Sequence, residues 1–159
     1  MCIRDSHYKS VGARELHIDV FLPPPKIKTG KAIVLVHGGG WRSGGKSHFY
    51  GLANRLAQKG YAVFLPEFRL SPEAPYPAGL VDVNDAIVWV KSQADTFGID
   101  RDKLAIGGAS SGGQMAALLA YTADKPHVPS TLREARELFA GSDVARAAFG
   151  DEVVAHYLN

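Results

Sequence analysis

This sequence predicts an α/β fold: a mostly parallel sheet with flanking helices, followed by a helical C-terminal tail. Three observations carry that expectation. Short apolar runs at 32–36, 61–65 and 103–106 alternate with stretches of helical spacing, the mark of strand–helix–strand units joined by right-handed crossovers. Two glycine-rich turns, at 37–45 and 107–113, each follow directly on one of those runs. No strand-like run follows the second turn, so the remainder reads as helical.

The elements follow in order. Over 14–22, Leu16, Ile18, Val20 and Leu22 fall on one face and His17, Asp19 and Phe21 on the other, which predicts a half-buried strand at or near a sheet edge. Three prolines, Pro23, Pro24 and Pro25, end it, and 26–30 is a loop. Ala32-Ile33-Val34-Leu35-Val36 is continuously apolar and β-branched, as suits a strand covered on both faces. A helix over 47–59 places Leu52, Leu56 and Phe49 inward and stops at Gly60. After the strand at 61–65 comes a proline-rich loop, 66–77. Leu80, Val83, Ile87, Val90 and Ala94 then trace one face of an amphipathic helix over 80–96. A turn at 98–102 leads into the strand at 103–106. Met1 to Ser6 fit no periodicity and resemble a translated sequencing-adaptor scar of the kind found on metagenomic reading frames, so they are set outside the fold.

Composition narrows the function classes. With 159 residues, 46% apolar and 21% charged, there is room for one domain and a tail. A net charge of +2 implies neither nucleic acid nor an acidic membrane as partner. Cys2 is the sole cysteine, which leaves no disulfide framework and no cysteine metal site. No apolar run reaches membrane-spanning length. The mixed, polar start shows no signal sequence, so the compartment is left open.

The chemistry concentrates in the two glycine turns. Gly108-Ala109-Ser110-Ser111-Gly112 matches G-x-S-x-G. A strand that turns at once into a helix forces the central serine into a strained conformation, and side chains at the flanking positions would collide with strand or helix. The hydroxyl of Ser110 then stands clear of the sheet over a helix N-terminus. The other turn, His37-Gly38-Gly39-Gly40-Trp41, admits two functional readings. As an oxyanion hole it would aim backbone N–H groups at a developing carbonyl charge, with the N–H of Ser111 as a further donor and His37 propping the loop. As a phosphate loop, Gly40 to Ser47 matches G-x-x-x-x-G-K-[ST] between a strand and a helix. That alternative makes the chain a nucleotide binder through Lys46, yet the next strand ends in Pro66-Glu67 and offers no Asp for magnesium. The plain alternative is a non-catalytic α/β fragment whose two loops are only tight turns. Nucleotide binding against ester hydrolysis separates these readings.

Residues 8–121 resemble the N-terminal half of α/β-hydrolase esterases and lipases of the H-G-G-G type, similar to hormone-sensitive-lipase-like and bacterial feruloyl- or acetyl-esterase-like enzymes. The matching pieces are His37 to Trp41 with Ser43-Gly44, then Phe68-Arg69-Leu70-Ser71-Pro72-Glu73, Tyr76-Pro77-Ala78 with Asp82, and Ser110 with Gly112-Gly113. The resemblance implies a partial α/β-hydrolase fold, Ser110 as nucleophile, Gly39, Gly40 and Ser111 as oxyanion donors, a small-molecule ester as substrate, and no metal or organic cofactor. It also implies that the loop from Arg69 to Glu73 is a structural brace. Two positions depart from the family: Phe68 stands where Tyr is usual and Ser111 where Ala is usual. Neither removes a backbone N–H.

In that family the triad runs Ser, then Asp or Glu, then His, on loops after later strands. Asp124, Asp143, Asp151, His127 and His156 follow Ser110 here, but in a helical setting with no strand to return them to it. The expectation is therefore that general acid and base are missing and turnover is small. The tail, 122–159, opens a helix at Thr131 with Glu134 as a capping box, and Leu132, Ala135, Leu138 and Phe139 form one face. Phe149-Gly150-Asp151-Glu152-Val153-Val154 and His156-Tyr157-Leu158 resemble the C-terminal helical region of glutamine synthetases. This suggests a chimera joined near Ala120-Tyr121, with no synthetase site residues carried over and an uncovered strand before Ser110.

Overall fold

The computed structural model describes residues 2–121 together with positions 137, 140, 141, 143 and 146. Five strands, β1 (Cys2–Val11), β2 (Arg14–Leu22), β3 (Ala32–Val36), β4 (Ala62–Pro66) and β5 (Leu104–Gly108), form one sheet in the order β1-β2-β4-β3-β5. Around it lie α1 (Tyr50–Ala57), α2 (Ala78–Ser92), α3 (Ala94–Phe97) and α4 (Ser111–Tyr121), with 3-10 turns at Pro25–Ile27 and Lys46–Phe49. The parallel part of the sheet is β4-β3-β5. The sheet as a whole is mixed, because β1 and β2 form a hairpin and β2 runs antiparallel to β4. With this partner set the fold is a partial α/β-hydrolase, sheet and flanking helices both present.

The alternation read from the sequence sorts side chains into two cores. Ile18, Val20, Val34, Val36, Ala62 and Phe64 point to one face, where Leu80, Val83, Ala86 and Val90 of α2, Phe97 of α3, and Met115 and Leu119 of α4 cover them. Phe21, Leu35, Val63 and Leu65 point to the other, against Ala53 and Ala57 of α1. Each fully buried Val, Leu, Ile, Phe or Met side chain contributes about 1.5–3 kcal/mol. The two-sided cover follows from topology. β3 to β4 steps one way and β4 to β5 steps back past β3, so right-handed connections put α1 and α2 on opposite faces.

Three expectations change. Cys2 to Ser6, set outside the fold for want of periodicity, lie within β1 and pair with Leu22 to Ile18 of β2; ladder bonds are made by backbone and need no side-chain pattern. β1 is thus the edge, and β2 is one strand in. Leu52 is 45% exposed, not inward. The 3-10 turn at Lys46–Phe49 delays α1 to Tyr50 and rotates its phase, so the inward positions are Ala53 and Ala57, with Leu56 and Phe49 partly buried beside them. The long helix over 80–96 is two pieces, α2 and α3, broken at Gln93.

Among the described residues β5 pairs only with β3, so its outer edge is open. The helical reading of the tail lies outside the described residues except at 137, 140, 143 and 146, which are helical, and 141, where the Gly141 N–H donates to the Glu137 carbonyl at 3.1 Å. Asp124, Asp151, His127 and His156 also lie outside them.

Candidate active site

β3 and β5 are neighbours, run in parallel and are in register from Ala32↔Leu104 to Val36↔Gly108. Their C-terminal ends therefore release two loops side by side, in the crevice where the strand order reverses. The glycine loop leaves β3 and the serine turn leaves β5. The Ala109 N–H still donates to the Val36 carbonyl at 3.2 Å, so the ladder continues one step into the turn.

Ser110 sits between β5 and α4 with φ +52°, a conformation that non-glycine residues rarely hold. Its residue is exposed. The Gly112 N–H donates to the Ala109 carbonyl at 2.9 Å and the Gln114 N–H to the Ser110 carbonyl at 3.0 Å, which closes the turn into the first turn of α4. Gly112 is packed against the carbonyls of Val36 and His37, where any Cβ would meet backbone oxygen. The glycine loop is equally close on the other side: a Cβ on Gly38 would lie 3.2 Å from the Ser110 Cβ and 2.6 Å from the Ala109 carbonyl oxygen. Glycine at both positions is what lets loop and serine turn touch.

Gly39 and Gly40 have φ +129° and +61°, and Trp41, unusually for an aromatic residue, +60°. The Gly39 carbonyl turns back to accept from the Arg42 and Ser43 N–H groups, both at 3.1 Å. Among the described residues no acceptor meets the N–H of Gly39, Gly40 or Ser111. The Trp41 N–H donates to the Ser111 hydroxyl at 3.4 Å, and the Trp41 carbonyl accepts from Ser71 N–H at 2.7 Å. Ser111 is buried at the head of α4, so its hydroxyl ties the glycine loop to the serine turn. His37 props the same loop: its Nδ1 donates to the Gly38 carbonyl at 2.8 Å and its ring stacks on Phe68 at 4.4 Å. Burial pushes the His37 pKa below its ordinary value, against the opposing pull of that carbonyl.

The loop from Arg69 onward is braced from beneath. The Asp82 carboxylate, fully buried, accepts from Arg69 Nε at 2.8 Å, Arg69 Nη2 at 2.9 Å, the Arg69 N–H at 3.0 Å and Lys9 Nζ at 2.6 Å. Burial alone would raise its pKa; the bonds from Arg69 and Lys9 overcome this and hold the carboxyl below its usual range. Arg14 bridges Glu67 and Glu73 at 2.6 and 2.9 Å, and the Tyr8 hydroxyl donates to the Glu67 carbonyl at 2.6 Å. Arg69 and Asp82 both stand in the stretches that carry the family resemblance, without sign that they pair, and nothing local marks Lys9, which comes from β1, 73 residues away.

Lys46, the cation of the phosphate-loop match, is turned elsewhere. Its ammonium bonds Asp19 at 2.9 Å and Asp5 at 3.0 Å, while the Tyr50 hydroxyl donates to the other Asp19 oxygen at 2.6 Å. No group of three or more His, Cys, Asp or Glu among the described residues is placed to hold a metal ion. Among the described histidines none hydrogen-bonds the Ser110 hydroxyl; His37 is occupied as above, and His48 packs edge-on against it at 5.9 Å.

Beside the two loops lies a cavity of about 460 Å³. Its floor is Phe68, Leu80 and Met115, all buried, and its rim carries Trp41 and Tyr76, 46% and 50% exposed. Gln114, one turn beyond Ser110, is also in its wall. Gly40, Trp41, Phe68, Arg69, Ser71 and Tyr76 of its lining lie in stretches that the sequence singles out, but the sequence does not show that the three segments of the lining enclose a cavity.

Comparison with known proteins adds to this geometry. A family model described as BD-FAE matches residues 18–147. Esterase LipC of Mycobacterium tuberculosis is 33% identical over 108 residues, covering 67% of this chain and 27% of LipC. A thermophilic esterase of the planctomycete Thermogutta terrifontis, Est2, superposes with a TM-score of 0.67 at 28% identity, over 72% of this chain and 42% of that one. The same esterase is also known phosphorylated by paraoxon, with a TM-score of 0.65 and 26% identity over 72% of this chain and 46% of that one. A different match covers 40 residues: gamma-glutamylethanolamide synthetase GlnA4 of Streptomyces coelicolor, 72% identical over 25% of this chain and 9% of GlnA4. The chain thus spans about a quarter of LipC and under half of the planctomycete esterase.

Proposed function

The chain belongs to the BD-FAE family, and on that premise we propose that it carries the nucleophile half of a serine carboxylic ester hydrolase of the H-G-G-G type. The observation that carries this is Ser110 at φ +52° on the strand-to-helix turn, with Gly38 packed against its Cβ. In the proposed reaction the Ser110 hydroxyl attacks the carbonyl carbon of a small-molecule ester. The carbonyl oxygen, now negative, is met by the N–H groups of Gly39, Gly40 and Ser111, and the alcohol leaves to give an acyl-enzyme. Preorganised donors of this kind are worth about 2.7–4 kcal/mol each in comparable sites.

Attack also needs a base to take the serine proton. None of the described histidines holds that position, so the reading includes slow acylation and little turnover. Residual catalysis from an oxyanion hole alone reaches about 10³–10⁴ over water in a protease stripped of its triad. The phosphate-loop alternative is the weaker reading because Lys46 is paired with Asp19 and Asp5. A glutamine-synthetase-like tail over 122–159 with a chimeric join belongs to the same proposal. The GlnA4 match supports a synthetase-like segment of 40 residues, while the BD-FAE match runs on to residue 147. A single long read of genomic DNA across the Ala120 codon tests the join.

The test of the site is a fluorophosphonate probe, chosen because the Thermogutta esterase is phosphorylated by paraoxon. Expected is slow labelling confined to Ser110, located by peptide mass spectrometry and lost in Ser110→Ala. Labelling spread over other serines, labelling that survives Ser110→Ala, or no labelling would each defeat the proposal. Fast labelling with sustained ester turnover would overturn the missing base.

A further inference from the structure

The cavity beside Ser110 has an uneven charge. Arg69, in its wall, is neutralised by Asp82, and the two carboxylates Asp82 and Asp85 are matched by Lys9 and Arg69. Arg42 is also in the wall, and its guanidinium has no partner among the described residues. Its backbone is fixed, since the Arg42 N–H and the following Ser43 N–H both donate to the Gly39 carbonyl at 3.1 Å, in the loop where Gly39, Gly40 and Trp41 have positive φ. Among the described residues no carboxylate lines the cavity. Among the described residues the result is an apolar space, floored by Phe68, Leu80 and Met115, with Arg42 the one unpaired cation of its wall.

We propose that this cavity selects an amphiphilic carboxylate: an ester whose apolar body ends in a free carboxyl group, recognised by Arg42. This rests on the esterase reading above and names its substrate class. A guanidinium presents donors in a planar fork that fits a carboxylate through two parallel bonds. One charge matches one charge; a phosphate dianion would leave a negative charge unmatched against apolar walls, which is costly. The apolar body gains by leaving water for the Phe68, Leu80 and Met115 floor, and Gln114 offers a further hydrogen bond. Neutral esters fill the same space without using Arg42.

Isothermal titration calorimetry of the full chain with 4-phenylbutyrate and its neutral isostere 4-phenylbutanamide tests this without requiring turnover. Expected is at least tenfold tighter binding of the acid at neutral pH, with the preference shrinking as salt rises because the pair is partly exposed. Arg42→Gln removes the preference and leaves amide binding in place; Arg42→Lys keeps part of it, as a point charge without the fork. Equal affinity for acid and amide, an acid affinity indifferent to Arg42→Gln, or no acid binding would overturn the proposal. The fluorophosphonate experiment reports separately on Ser110. Acid binding without labelling leaves a carboxylate pocket and defeats the nucleophile; labelling without acid preference leaves the nucleophile and defeats Arg42 as a selector.

Discussion

Replacing Asp82 with Asn removes one negative charge from a buried cluster that holds two positive ones. In the folded chain the carboxylate collects four donors, three from Arg69 and one from Lys9 at 2.6 Å. An amide can accept at its oxygen only, and its NH₂ end would face an Arg69 donor. Breaking a buried ion pair by losing one partner costs about 3–5 kcal/mol. The lower end applies here, because Lys9 keeps Asp85 at 2.6 Å and the Arg69 and Lys9 side chains each retain 17% exposure through which water can reach them. Asp82→Asn should therefore destabilise by about 3 kcal/mol. With a urea slope of about 2 kcal/mol/M, the midpoint should fall by about 1.5 M. Lys9→Met alone should cost less, and the double variant should cost less than the sum of the two, with a coupling above about 0.5 kcal/mol. A loss below about 1 kcal/mol, of the size seen for exposed pairs, would show that the cluster behaves as a surface bridge and that the brace under the Arg69 loop is carried by something else.

Gly112→Ala should cost about 3 kcal/mol or more, because its Cβ would strike two backbone carbonyls that cannot move apart without parting β3 from the serine turn; Gly51→Ala, with open space at its Cβ inside α1, should be neutral or stabilising by up to about 1 kcal/mol, and melting curves compare the two. Burial lowers the His37 pKa, so the folded chain binds that proton more weakly than the unfolded chain. The stabilisation from neutral His37 is therefore present above the unfolded value of about 6.5 and is lost as pH falls from there through the folded value. Urea midpoints from pH 7.5 down to 5.5 should fall more steeply for the wild type than for His37→Asn; parallel slopes would refute the assignment. The outer edge of β5, unpaired among the described residues, should cause concentration-dependent self-association unless the tail covers it, visible by sedimentation velocity and reduced by Ala105→Lys; a monomer across the whole concentration series contradicts it.

Of the strands that carry the site, β3 was legible because its residues are covered on both faces, and β5 was placed mainly by the glycine turn that follows it. Ala32 to Val36 reads as a buried strand by composition, and strand direction alone puts the glycine loop and the serine turn at one end of the sheet. The phase of α1 was not legible: Leu52 carries the right spacing, but four residues of 3-10 turn rotate the helix before it begins. β1 was not legible either, since Cys2 to Ser6 contribute backbone to the ladder and no pattern. The contacts that brace the site escape sequence reasoning for one reason. Lys9 with Asp82, and Lys46 with Asp19, join residues whose separation along the chain carries no periodic signal, and a charge on a solvent-facing pattern looks the same whether or not a partner arrives.

The pairing of Val36 with Gly108 works as an alignment gauge. The glycine loop and the serine turn each start within two residues of that rung, so the offset between them is fixed by ladder hydrogen bonds and not by the loops. Residues along a strand advance by about 3.3 Å; a slip of one rung would carry Ser110 past Gly38 by that amount and reverse which face each side chain meets. Rim residues such as Trp41 and Tyr76 lie outside the gauge. Exchanging them should reshape what enters the cavity while the spacing between serine and glycine loop stays as the strands set it, which makes the rim the place to begin when changing what this scaffold admits.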